Sequence, residues 1–256
     1  MLIAIFAVVT IHCDIWKIGS EGLVIDALAR FSVITFFLIF GYYSFYTDDS
    51  KALTSYKRKL NISIKILLIA AVLYLVYMAF TQLPTLLSEL NLNALFNLII
   101  FNVTPFGLHH LWFLLVLIYC FIIYYVLIKL QVKPNTLYKF IPILIIFSLV
   151  IGEFLTLFIG EFFGYKSVEL SFLTLKYYRN FLVMGLPFFT LGYLIHDKKD
   201  ILTEKISNSF LIAFGIFGLL LTILEVIVVG KLDVYIGTII FSVCIFIWCV
   251  KKSRYT

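Results

Sequence analysis

Charge is what this chain has least of. Of its 256 residues only 13% are Asp, Glu, Lys or Arg, while 63% are hydrophobic; a soluble domain carries about 25% charged residues. No stretch is long and polar enough to form a separate water-soluble domain. Alternation of polar and apolar residues is missing too, which excludes a transmembrane β-barrel, because the apolar segments are continuous. Five prolines and 13 glycines are too few for a low-complexity linker protein. The four cysteines, Cys13, Cys120, Cys244 and Cys249, form no CxxC pair and share no metal-ligand spacing with histidine. They read as free thiols in or beside apolar segments, not as a disulfide framework or a metal site. The beginning of the chain has neither the basic n-region nor the small-residue cleavage site of a signal peptide.

What is present is a succession of apolar segments, and these predict an all-α, polytopic transmembrane helix bundle forming one domain over residues 1–256. At about 20 residues per crossing plus loops, the length allows about eight spans. They are expected near 1–16, 30–46, 62–80, 111–128, 140–159, 179–195, 210–229 and 234–250. The first covers only about 24 Å at about 1.5 Å per residue, short of the hydrocarbon core, so the chain is expected to start inside that helix. The apolar piece 94–101 is too short to cross and predicts a re-entrant or interfacial turn.

Basic residues set the orientation. With the N-terminus inside and eight crossings, five of them follow the second span, and three each follow the fourth, the sixth and the eighth. Only Lys17, Arg30, Lys166, Lys176, Arg179 and Lys231 fall on the other face. Lys and Arg accumulate on cytoplasmic loops, so both termini are expected inside. The net charge of +6 follows this topology and gives no reason to invoke a nucleic-acid partner.

On this arrangement the outer ends of several helices carry polar side chains. His12 and Asp14 end the first helix, Arg30 opens the second, His109 and His110 open the fourth, and Arg179 with Asn180 opens the sixth. Glu153 lies in the outer half of the fifth. Any one of these could simply snorkel to the interface. As a set they predict a shared polar cavity, where charge in a membrane becomes tolerable. His109 and His110 stand about 100° apart on a helix, so only one of them, taken to be His110, faces inward. Trp112 reads as an aromatic-belt residue. A histidine at such a site is either a helix–helix hydrogen-bonding group or a proton-transfer group, and composition does not choose.

The stretch His110-Leu111-Trp112-Phe113-Leu114 resembles the HLWFL signature of acyltransferase family 3, polytopic membrane O-acyltransferases. Three further stretches agree. Ile3–His12 is similar to the family's first helix, which ends in histidine. Arg30-Phe31-Ser32-Val33 with Phe36-Phe37 and Gly41-Tyr42 resembles R-x-x-V-P-x-F-F-x-x-S-G-Y. Arg179-Asn180 with Gly185-Leu186-Pro187-Phe188-Phe189 and Gly192 resembles R-N-x-x-x-x-G-x-P-F-F-x-x-G. The departures are Met1 where the family has arginine, Ile34 or Thr35 for its proline, Phe40 for its serine, and a chain ending after eight helices where about ten are usual. The chain is therefore expected to be clipped at both ends.

The resemblance implies transfer of an acyl group, most commonly acetyl, from acyl-CoA to a hydroxyl of a cell-surface glycan or lipid-linked acceptor. It implies His12 as general base or acyl relay, with Arg30 and His110 as further catalytic residues. Asp14, Glu153, Arg179 and Asn180 would bind the acceptor. Lys57, Arg58 and Lys59 lie on the side where the CoA phosphates would arrive, and are equally a plain positive-inside cluster. Acyl-CoA enters as co-substrate, and no resident cofactor or metal is implied. Two other readings stay open: a transporter of a small polar or lipid-linked substrate, although no inverted repeat is evident, and a catalytically inactive, truncated homologue.

Overall fold

The computed structural model of the protein describes residues 2–13, 15–81, 83–84, 91–102, 111–150 and 180–253, without the side chains of Trp16 and Phe101. These residues are mostly helical and include no strand. The helices are α1 (Leu2–His12), α2 (Ser20–Ala29), α3 (Phe31–Tyr42), α4 (Asp49–Thr81), α5 (Leu92–Phe101), α6 (Trp112–Lys129), α7 (Ile141–Leu149), α8 (Leu186–Asp197), α9 (Lys199–Lys205), α10 (Asn208–Val229) and α11 (Ile236–Lys252). Among the described residues four stretches are long and apolar enough to cross a membrane: α2 and α3 together, α4, α6 and α10.

The second segment differs from its expected bounds of 30–46. It starts at Ser20, passes through Arg30 with a tightened turn (Arg30 N–H to Ala27 O, 3.2 Å), and stops at Tyr42. The hydroxyls of Ser32 and Thr35 donate back to Ala29 O (2.7 Å) and Phe31 O (2.8 Å), the kind of contact that bends a helix. The third segment also begins earlier, at Asp49 instead of near 62. The Asp48 carboxylate accepts the N–H groups of Ser50 (2.8 Å) and Lys51 (3.3 Å), which starts the helix. The basic cluster expected in a loop therefore rides on a helix. Spans 111–128, 210–229 and 234–250 are each found within two residues of expectation.

α3 is the helix around which the others gather, against α8, α11 and α1. The contact with α8 is made by main chains. A Cβ on Gly41 would lie 1.9 Å from Phe189 O, and one on Gly192 would lie 2.1 Å from Leu38 O. Small residues at both crossing points let membrane helices approach this closely, where lipid provides no hydrophobic drive. Around the crossing, Ile34, Phe37 and Leu38 bury themselves among Val183, Met184, Phe188, Phe246 and Ile247. α6 adds Phe113, whose ring centroid is 4.5 Å from that of Phe37, and Trp112, which packs its ring against Phe37 as well. α10 and α11 meet in the same manner, since a Cβ on Gly237 would come 2.3 Å from Gly218 O.

The short α5 has the ten residues of a helix that cannot cross, and it is docked on its neighbours. The Tyr119 hydroxyl donates to Ile99 O (2.9 Å), and the Tyr119 ring stacks on Phe181 at 4.9 Å.

Gly41→Val forces a branched side chain into the Phe189 carbonyl, and should cost at least about 1–3 kcal/mol, read as a lower unfolding midpoint in detergent. Gly215→Ala is the control, because its Cβ would meet Cys244 and Phe241 at an ordinary 3.8 Å. Equal midpoints for the two variants would refute the main-chain crossing.

Candidate functional site

Arg30 stands one helical turn after Asp26, so the two side chains share a face across the α2–α3 junction. Its Nε donates to Asp26 Oδ2 at 2.9 Å, and its Nη1 donates to Asp233 Oδ1. Asp233 belongs to the turn between α10 and α11, so this one side chain ties the central span to the other end of the chain. Arg30 is 6% exposed and Asp26 fully buried. Only one oxygen of Asp26 is used: Oδ1 is buried and makes no hydrogen bond among the described residues. Charge this deep is tolerated only when paired, and here two carboxylates surround one guanidinium.

The turn that carries Asp233 is built to present it. The fully buried Tyr235 accepts the Leu232 N–H at 2.8 Å and donates its hydroxyl to Gly230 O at 3.0 Å. Glu225, also buried, accepts the N–H groups of Ile236 and Gly237, both at 3.0 Å. A carboxylate at the N-terminus of α11 satisfies donors the helix cannot use and faces the positive end of its dipole.

His12 is the last residue of α1 and is exposed. Its neighbour Ile11 packs with Ala7, Ala29, Phe31 and Phe241, so His12 and Arg30 flank the same small apolar contact. Asp14, His110, Glu153 and Arg179 lie outside the described residues.

Asn180, expected to bind substrate, has its amide committed to architecture. Its Oδ1 accepts the Leu182 N–H (2.8 Å) and its Nδ2 donates to Ile100 O (2.8 Å). The buried Asn102, left-handed at φ 56°, answers by accepting the Phe181 N–H at 2.9 Å. The two asparagines fasten the end of α5 to the start of the segment leading into α8.

The basic cluster divides in the same way. Lys57 and Arg58 are exposed on α4. Lys59 turns inward, and its Nζ donates to Tyr43 O and to Ser44 Oγ, each at 2.8 Å. That sets a cation on the carbonyl end of α3, where the helix dipole favours it. A phosphate would meet Lys57 and Arg58; Lys59 is already occupied.

Sequence reasoning passed over Asp26, Asp233 and Glu225. The four-residue spacing to Arg30 could have exposed Asp26. Asp233 and Glu225 carry no comparable local signal, since their partners are set by tertiary packing.

These features define a helical membrane protein with an arginine held by two carboxylates at the α2–α3 junction of its central span. The chain belongs to acyltransferase family 3, whose acyltransferase domain matches residues 2–255. No curated protein and no solved structure matches it. Membership supports a transferase role and confirms the resemblance drawn from the four stretches.

Arg30→Ala leaves the buried Asp26 carboxylate without its cation and should cost about 3–5 kcal/mol, measured as unfolding in detergent. Asp233→Asn keeps the Asp26 pair and should cost clearly less. Equal losses would show that the Arg30–Asp26 pair is not the dominant half of the cluster.

Proposed function

We propose that the protein is a membrane O-acyltransferase that moves an acyl group, acetyl by family analogy, from acyl-CoA to a hydroxyl of a cell-surface glycan or lipid-linked acceptor. The observation that carries this reading is the family domain running over residues 2–255. The eight crossings expected of the apolar segments, in a bacterial plasma membrane with both termini cytoplasmic, combine the four long spans with α11 and with the apolar helical stretches that include Leu2–His12, Pro134–Leu149 and Phe181–Asp197. The positive-inside distribution of Lys and Arg supports that orientation.

In this mechanism the His12 imidazole takes the proton of the acceptor hydroxyl as its oxygen attacks the thioester carbonyl. The new C–O bond forms, the C–S bond breaks, and the proton leaves with the CoA thiol. His110, Arg179 and Arg30 orient the acceptor, together with Asp14 and Glu153. The guanidinium of Arg30 is offset by Asp26 and Asp233, so it serves as a fixed wall better than as the donor to a developing oxyanion, a task that needs unmatched positive charge. Lys57 and Arg58 receive the CoA phosphates. No resident metal or cofactor enters.

His12→Ala should lower acyl-CoA turnover by at least about 100-fold while inserting at the normal level. Unchanged turnover removes His12 from the chemistry, and absence of acyl transfer by the parent protein to any hydroxyl acceptor overturns the function itself. Replacing Lys57 and Arg58 together by Ala should raise the KM for acyl-CoA with kcat unchanged. Lys59→Ala should instead lower the unfolding midpoint, because the carbonyl end of α3 loses its cap.

A further inference from the structure

Away from the Arg30 cluster, α10 and α11 leave a partly open cavity of about 220 Å³ between them. Leu211, Ile212, Gly215, Phe241, Cys244 and Trp248 line it. Gly215 gives it depth, since the nearest atoms to a Cβ there, on Cys244 and Phe241, are 3.8 Å away. The lining offers almost nothing to hydrogen-bond, so water gains little by entering. The hydrocarbon of a lipid fits it by chemistry.

One end of the cavity is basic. Trp248 closes it, and the Lys252 Nζ stands 4.5 Å from the centre of the Trp248 ring. Lys251 donates to Ile206 O at 2.7 Å, which draws the end of α9 against α11. Lys252 thus stands at the mouth, the bond from Lys251 brings the end of α9 with Lys205 toward the end of α11, and Glu204 and Asp200 are the acidic residues of α9. Lys205 and Lys252 are exposed. An apolar groove ending in exposed ammonium groups and an indole matches a molecule with an alkyl chain and an anionic head.

We propose that the α10–α11 groove binds one anionic phospholipid, its acyl chain along Leu211, Gly215 and Phe241 and its phosphate at Lys252. Each lysine near the membrane surface favours an anionic headgroup by a factor of about five. A flat helix face would take any lipid in passing. The groove and its basic mouth together select for chain and charge at one position.

The test uses the full chain in phosphatidylcholine nanodiscs containing increasing fractions of brominated lipid. Bromine quenches nearby tryptophan, and the Trp248 share is the difference between the parent protein and Trp248→Phe. Brominated phosphatidylglycerol should quench Trp248 at about a fivefold lower mole fraction than brominated phosphatidylcholine. Lys252→Gln, at an exposed position, should bring the two curves together. Equal quenching by both lipids in the parent protein means an unselective lipid annulus and overturns the site. Quenching by neither, with particles the size of a dimer, means that a second copy covers the groove and also overturns it. A preference unaffected by Lys252→Gln overturns the placement of the headgroup.

Discussion

A guanidinium inside a membrane bundle has to be matched, and the match at Arg30 organises much of this structure. Asp26 supplies half of it locally, one turn back on the same helix. Asp233 supplies the other half from more than two hundred residues away. A distant carboxylate can only be delivered if its own loop is rigid, which is why Tyr235 and Glu225 are buried and hydrogen-bonded beside it. The central span, the α10–α11 turn and the N-terminus of α11 are therefore held by one electrostatic requirement. Removing the positive centre leaves the buried Asp26 carboxylate uncompensated.

The same span meets α8 main chain to main chain. At Gly41 and Gly192 the backbones touch, and the aromatic rings of Phe37, Phe113 and Phe188 fill the space beside the crossing. Close backbone contact and a buried ion pair are opposite solutions to one problem. Lipid does not push helices together, so packing and polar contacts must hold them. α3 uses the glycines toward α8, and the α2–α3 junction uses Arg30 toward the α10–α11 turn.

Much of this was legible in the chain. Apolar run length marked α6, α10 and α11 closely, because hydropathy changes sharply at their ends. It misplaced the start of α4, because a helix that leaves the membrane carries the Lys and Arg of an inside loop without unwinding. Asp48, a helix-starting residue, was the better boundary signal. The glycines of the two family-like stretches were visible as a pattern, and their physical meaning emerges only in the crossing they permit. Arg30 and Asn180 were picked out as polar residues in need of a reason. The reason lies in partners that no local spacing reveals, Asp233 in one case and the Ile100 carbonyl in the other.

These assignments separate two kinds of polar residue within the family-like stretches. Arg30 and Asn180 have their hydrogen-bonding atoms turned to fixed carboxylates or to main chain, and each joins two helical segments. A guanidinium does not give up its proton under physiological conditions, so a fully matched arginine is suited to holding geometry constant through a reaction. A group that must accept and release a proton in every cycle needs the opposite: a side chain that titrates near neutral pH and can reach a substrate. His12, the last residue of α1, is exposed, whereas Arg30 is buried against Asp26 and Asp233. On the proposed function, holding and reacting fall to residues on different helices, Arg30 at the α2–α3 junction and His12 at the end of α1.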